Sequence, residues 1–119
     1  MNNIKLAIVG SRGFDDYDLL KETIHKNYTI DKIGSIVSGG AKGADSLGER
    51  FADENNILKE IYLPDWKKYG RGAGIIRNKD IVNACDDIIL FWDGSSKGTM
   101  NSMKHAQKLG KHIHLIEYK

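Results

Sequence analysis

Cysteine is nearly absent from this chain. Cys85 stands alone among 119 residues, so neither an internal disulfide nor a cysteine-built metal cage is open to it. Proline is as scarce: Pro64 is the only one, which excludes a proline-rich linker or recognition tract. No apolar run approaches the roughly 18 residues that a membrane-spanning helix needs. The start, Met1-Asn2-Asn3-Ile4-Lys5, enters a strand-like run with no charged-then-apolar signal pattern ahead of it. Charge of one sign is lacking too. Eighteen Lys+Arg against sixteen Asp+Glu leave +2, too little for bulk charge to select nucleic acid or acidic lipid. With 40% hydrophobic residues the chain can bury a core. These features predict one soluble, cytoplasmic domain over residues 1–119, with no membrane partner.

Glycine is what the chain has in excess. Thirteen in 119 residues is about 11%, against a usual 7% or so. They gather in Gly10-Ser11-Arg12-Gly13, Gly39-Gly40-Ala41-Lys42-Gly43, Gly70-Arg71-Gly72-Ala73-Gly74 and Gly94-Ser95-Ser96-Lys97-Gly98. Between them the apolar runs are short and β-branched, as in Ile4 to Val9, Ile33 to Val37, Leu58 to Leu63, Asp87 to Phe91 and His112 to Ile116. Amphipathic stretches at helical spacing separate these runs: Tyr17, Leu20, Ile24 and Tyr28, then Ala44, Leu47 and Phe51. Ile75, Ile76, Ile81, Val82 and Cys85 form a third such set, and Met100, Met103, Ala106 and Leu109 a fourth. Asp15 or Asp16 is the expected N-cap of the first helix, and Pro64 to about Ala73 reads as a long loop. Strand–helix alternation predicts an α/β fold, a three-layer Rossmann-like doubly wound sheet. It would hold about five mostly parallel strands and about four helices, with ligands at the strands' carboxyl ends where the winding reverses.

Three glycine clusters directly follow strands and so fall on that edge. Ser38-Gly39-Gly40-Ala41-Lys42-Gly43-Ala44-Asp45 opens a helix, where free N–H groups and the helix dipole suit a phosphate. It is neither a Walker A loop nor a GxGxxG fingerprint, and a plain tight turn with Asp45 as an early helix charge explains it equally well. Gly94-Ser95-Ser96-Lys97-Gly98-Thr99 repeats the geometry, with Thr99 as an N-cap or as a hydroxyl donor to a ligand. Ser11 and Arg12 add donors after the first strand. Trp66, Lys67, Lys68, Tyr69 and Arg71 interleave aromatics with cations and could stack a base, or Trp66 could simply anchor the loop. Arg77, beside Asn78, is expected at the ligand edge. There its guanidinium would grip a phosphate, or alternatively pair with Asp45 or Asp93. His25, His105, His112 and His114 show no metal-binding spacing, so no metal and no cofactor is expected. Cys85 reads as a small buried hydrophobe.

Gly10-Ser11-Arg12 with Phe14, the Ser38–Asp45 turn, Asp65-Trp66 with Tyr69-Gly70, Gly74 with Arg77-Asn78, and Gly98-Thr99 occur in this order. The pattern resembles the small stand-alone YspA-like family of the SLOG superfamily, the Rossmann-like group named after DprA/SMF and LOG proteins. The resemblance covers almost the whole chain. It implies a nucleotide or nucleotide-derived ligand, such as a nucleoside monophosphate or an ADP-ribose-like species. LOG-type enzymes carry Gly-Thr-x-x-Glu, whose glutamate serves N-glycosidic cleavage; here that spacing from Gly98-Thr99 ends on Ser102.

The leading expectation is therefore a binder or sensor of a nucleotide-derived small molecule. Its ligand set is Gly10, Ser11, Arg12, Ser38, Gly39, Gly40, Lys42, Gly43, Asp45, Trp66, Arg77, Asn78, Gly94, Ser95, Gly98 and Thr99. The second reading is a LOG-like hydrolase of N-glycosidic or phosphoester bonds that uses Asp45 or Asp93 in place of the missing glutamate. The third is a DprA-like binder of single-stranded nucleic acid. Homo-oligomerisation is compatible with all three.

Overall fold

β-Branched runs flanked by glycine turns become five strands: β1 (Ile4–Gly10), β2 (Ile33–Ser38), β3 (Leu58–Ile61), β4 (Asp87–Trp92) and β5 (His112–Glu117). The computed structural model describes residues 3–119, so Met1 and Asn2 of the expected lead-in lie outside the described residues. All neighbouring strands pair in parallel, in the order β3-β2-β1-β4-β5. The connections are α1 (Tyr17–Asn27), α2 (Ala44–Glu54), a single turn α3 (Trp66–Tyr69), α4 (Ala73–Ala84) and α5 (Lys97–Lys108). Among the described residues no helix is long and apolar enough to cross a membrane.

Successive residues of a strand face opposite sides, and the core divides accordingly. Leu6, Ile8, Ile36, Ile89 and Phe91 pack with Leu20, Ile24 and Phe51 of α1 and α2 on one face. Ala7, Val9, Val37, Ile88 and Leu90 pack with Ile81, Val82 and Ala106 of α4 and α5 on the other. Both sides are covered, which is why β1 and β4 are apolar without alternation. β3 ends the sheet on one side, as its alternating pattern suggests, and exposes Leu58. From β1 the chain builds outward through β2 and β3; it then crosses back to β4 and β5. The winding thus reverses between β1 and β4, and a crevice must open there at the carboxyl ends.

Three expectations need correction. The Pro64–Ala73 stretch is not all loop, because Asp65 accepts from Lys68 N at 3.1 Å and caps the turn α3, which runs into a 3-10 turn at Gly70–Gly72. Ile75 does not reach the core. It lies in the first turn of α4, which takes its buried contacts through Ala73, Ile81 and Val82, and it is 49% exposed. Leu109 is likewise exposed at the end of α5, whose buried face is Thr99, Ser102 and Ala106.

Candidate functional site

The crevice between the ends of β1 and β4 is a cavity of about 520 Å³, within the usual range for small-molecule sites. Its floor is Gly10, Ser11 and Arg12, where β1 ends. A Cβ on Gly10 would overlap the Phe91 carbonyl, so glycine lets β1 and β4 stay close at the floor. Ser11 N donates to Phe91 O at 2.9 Å, and the Ser11 hydroxyl accepts from Asp93 N at 3.1 Å. The buried serine therefore stitches the two strand ends together at the floor of the crevice.

One wall is the start of α5. Asp93 accepts from Ser95 N at 2.9 Å and from Ser96 N at 2.8 Å, closing the turn after β4. These backbone bonds hold its carboxyl below the ordinary aspartate range. The N-cap of α5 is Ser96, not Thr99: its side chain accepts from Thr99 N, and the two hydroxyls lie 3.0 Å apart. Gly98, Thr99 and Ser102 face the cavity on the first turns of α5, so Ser102 occupies a wall with a hydroxyl and no charge.

The opposite wall is the start of α4 with the turn after β2. Arg77 Nη1 donates to Gly39 O at 2.6 Å, and Arg77 Nε to Asn78 Oδ1 at 3.0 Å. Asp45 accepts from Gly39 N at 3.0 Å and Ala41 N at 3.4 Å, while Gly40 N donates to the Ser38 hydroxyl at 3.2 Å. A Cβ on Gly39 would come within 2.7 Å of Asp45 Oδ2 and 2.8 Å of Arg77 Nη1, so glycine here permits both side chains to close over the backbone. The amide donors of residues 39–41 are thus satisfied from within the chain. Burial pushes the Asp45 carboxyl up to about 6, against the opposing pull of the Ala41 and Gly39 amides and of Arg77. Arg77 is lowered by its own burial and by the charge of Arg12, with Asp45 acting the other way.

Of the residues expected from sequence, the cavity gathers Gly10, Ser11, Arg12, Asp45, Arg77, Asn78, Gly98 and Thr99, together with Asp93. Ser38, Gly39, Gly40, Lys42, Gly43, Trp66, Gly94 and Ser95 are not among its lining. Gly40 instead faces Leu63, and Gly43 packs on the carbonyls of Ser11 and Arg12. Trp66 lies beside the rim, its ring 3.8 Å from where a Cβ on the lining residue Gly74 would sit. The cavity adds Ser96, Ile75 and Ser102, and it takes in Arg71, which the sequence offers only for stacking nucleic acid. A serine directly before a helical run is a preferred N-cap residue, and this is the signal that marks Ser96. Among the described residues the crevice holds no trio of metal-ligating side chains.

The family model for YspA, cpYpsA-related SLOG proteins matches residues 4–69, more than half of the chain. The chain belongs to this SLOG family. It is similar to the Gene 61 protein of Mycobacterium phage D29, at 34% identity over 117 residues that cover 89% of this chain and 90% of the phage protein. Among solved structures it resembles DNA processing protein A (DprA) from Streptococcus pneumoniae, with a TM-score of 0.78 at 19% identity. That likeness covers 98% of this chain but 51% of DprA, so the chain spans about half the length of that protein. At this identity the comparison establishes the shared Rossmann-like fold.

Proposed function

We propose that this family member binds a nucleotide-derived small molecule, with its phosphate seated between Arg12, Arg71 and Arg77 and the first turn of α5. The observation that carries this reading is an imbalance of charge in the crevice. Three guanidinium groups line it, and among the described residues none of them forms an ion pair. Its two carboxylates are already engaged by backbone amides. Arg77 is half-buried and is disfavoured by the charge of Arg12, which with Arg71 stands exposed at the mouth; an anion between them relieves that repulsion. The amino end of α5 adds the positive end of a helix dipole. Ile75, exposed on the rim, offers apolar surface for a base or ribose.

A second reading, single-stranded nucleic acid, draws on the outer rim. Trp66 and Tyr69 are 56% and 42% exposed, and Lys68 Nζ stands 5.2 Å over the Tyr69 ring. Such a strip suits stacked bases. The likeness in fold to DprA, a DNA processing protein, lends this reading weight.

Calorimetry with AMP, with ADP-ribose and with a single-stranded oligonucleotide separates the two. The expected result is saturable binding of a mononucleotide or ADP-ribose, weakened about tenfold or more, roughly 1.4 kcal/mol, by Arg77→Lys. A lysine ammonium is a single point donor and lacks the fork by which Arg77 reaches Asn78 through Nε and Gly39 O through Nη1, so a modest stability loss of about 1 kcal/mol should accompany it. Unchanged affinity in folded Arg77→Lys removes Arg77 from the site. Oligonucleotide binding with a steep salt slope and no mononucleotide binding overturns the proposal in favour of the second reading.

A further inference from the structure

At the other end of the sheet, the ladder aligns three side chains whose sequence spacing gave no sign of a shared site. β4 and β5 pair in register, with Asp87 opposite His112 and Ile89 opposite His114. Paired residues of a parallel ladder share a face, as do residues two apart on one strand. Asp87, His112 and His114 therefore project together, and one donor atom from each lies within 4.8 Å of the others. The two imidazole rings are already edge to face, their centroids 4.7 Å apart.

We propose that Asp87, His112 and His114 form a three-ligand site for a divalent transition-metal ion of the zinc class. Two imidazoles and one carboxylate suit zinc, cobalt or nickel; magnesium and calcium prefer all-oxygen shells. Metal bonds of about 2.0–2.1 Å at tetrahedral angles set donors about 3.3 Å apart. Closing from the present spacing takes up to about 1.5 Å, and His112 is exposed and can turn to supply it.

The supporting shell is also in place. Tyr28, the residue that ends α1, donates its hydroxyl to Asp87 Oδ2 at 2.6 Å and lies 3.0 Å from His114 Nε2. One hydroxyl carries one hydrogen, so with a neutral ring the His114 Nε2–H must be the donor in the second contact. That assigns the tautomer and leaves Nδ1 with the lone pair a metal needs. Metal-ligating histidines and carboxylates are commonly oriented by outer hydrogen bonds of this kind. A cavity of about 420 Å³, lined by Tyr28, Asp87, Lys26 and Lys32 among others, opens on the Asp87 side of the cluster, and the exposed His112 leaves the other side open to solvent. Three protein ligands leave a fourth position for water or a second molecule. The bound ion would also tie the edge strand β5 to β4.

Titration of the full chain with zinc chloride at neutral pH, with magnesium chloride as control, tests the site. The expected result is about one equivalent of zinc bound at micromolar or tighter affinity, and no magnesium. Asp87→Asn and His112→Ala should each weaken zinc at least about tenfold. Cobalt substitution should give visible d–d absorption that His112→Ala changes. His112 is exposed, so its variant keeps the packing and the test stays decisive even if His114→Ala fails to fold. No zinc uptake by the wild type overturns the proposal. So does unchanged zinc affinity in His112→Ala and Asp87→Asn, which would move the ion to His25 or His105.

Discussion

Asp45 is an anion of the chain's own, placed on backbone donors that a phosphate at this turn would otherwise use. Its exposure of 5% makes ionisation costly, and its carboxyl stands near 6 against an unfolded value of about 3.9. The folded state therefore binds the proton more tightly. The stability this group lends is full below about pH 4 and is lost as pH rises through about 6. A shift of about two pH units corresponds to at most about 3 kcal/mol. Asp45→Asn keeps an oxygen for the Gly39 and Ala41 amides and carries no charge. In urea melts the wild type should lose stability between about pH 4 and pH 7 relative to this variant. Parallel profiles for the two proteins would show that Asp45 is not the titrating group. A perturbed carboxyl in a cleft is also a candidate general acid, and the same variant tests whether any hydrolysis of AMP or ADP-ribose depends on it.

At the scale of elements, turn glycines serve the scaffold. Gly43 takes φ +81°, and a Cβ there would overlap the carbonyls of Ser11 and Arg12. The start of α2 thus lies directly on the turn after β1. Gly70 has a similar φ of +57° but nothing within 4 Å of its Cβ position. Gly70 has ψ −131° and Gly43 ψ −129°, both outside the left-handed helical region. Gly70→Ala should cost about 1–3 kcal/mol, the backbone penalty alone, whereas Gly43→Ala should cost at least about 2 kcal/mol more through the overlap. Equal losses in denaturant melts would mean that α2 does not sit on that turn. The same contrast explains what was legible in the sequence. β1 and β4 are readable because central strands need unbroken apolar runs, and Ser11, Arg12 and Thr99 because they follow strand ends. The positive φ of Gly40 and Gly43 is consistent with a phosphate loop, but the neighbours that use it are Leu63 and the turn after β1, far away in sequence. α3 is too short to show a period, and Ser102 and Ile75 depend on helix phase near a terminus. Asp87, His112 and His114 are brought together by strand register, which no local spacing encodes.

For the whole molecule, near-neutral charge means that no long-range field draws anions to the surface at large. Positive charge is instead gathered at the carboxyl end of β1 and β4, and the imidazole–carboxylate cluster stands at the amino end of β4 and β5. A six-residue strand puts these two ends about 20 Å apart, so a ligand at one should leave the local opening of the other largely untouched. Amide hydrogen exchange can read both ends in one experiment. AMP or ADP-ribose should slow exchange at residues 11–13, at the first turns of α4 and α5, and in the turn after Asp93. Zinc should slow it at the start of β5 and around Tyr28. The gain at saturation follows mass action, about 2.7 kcal/mol at a hundredfold excess over the dissociation constant, and applies where opening breaks the site. Nucleotide protection spread along β3 and α3 would instead place the ligand on the exposed Trp66–Tyr69 strip. That pattern belongs to a chain threaded across the rim, and it would shift the argument from a small molecule to single-stranded nucleic acid.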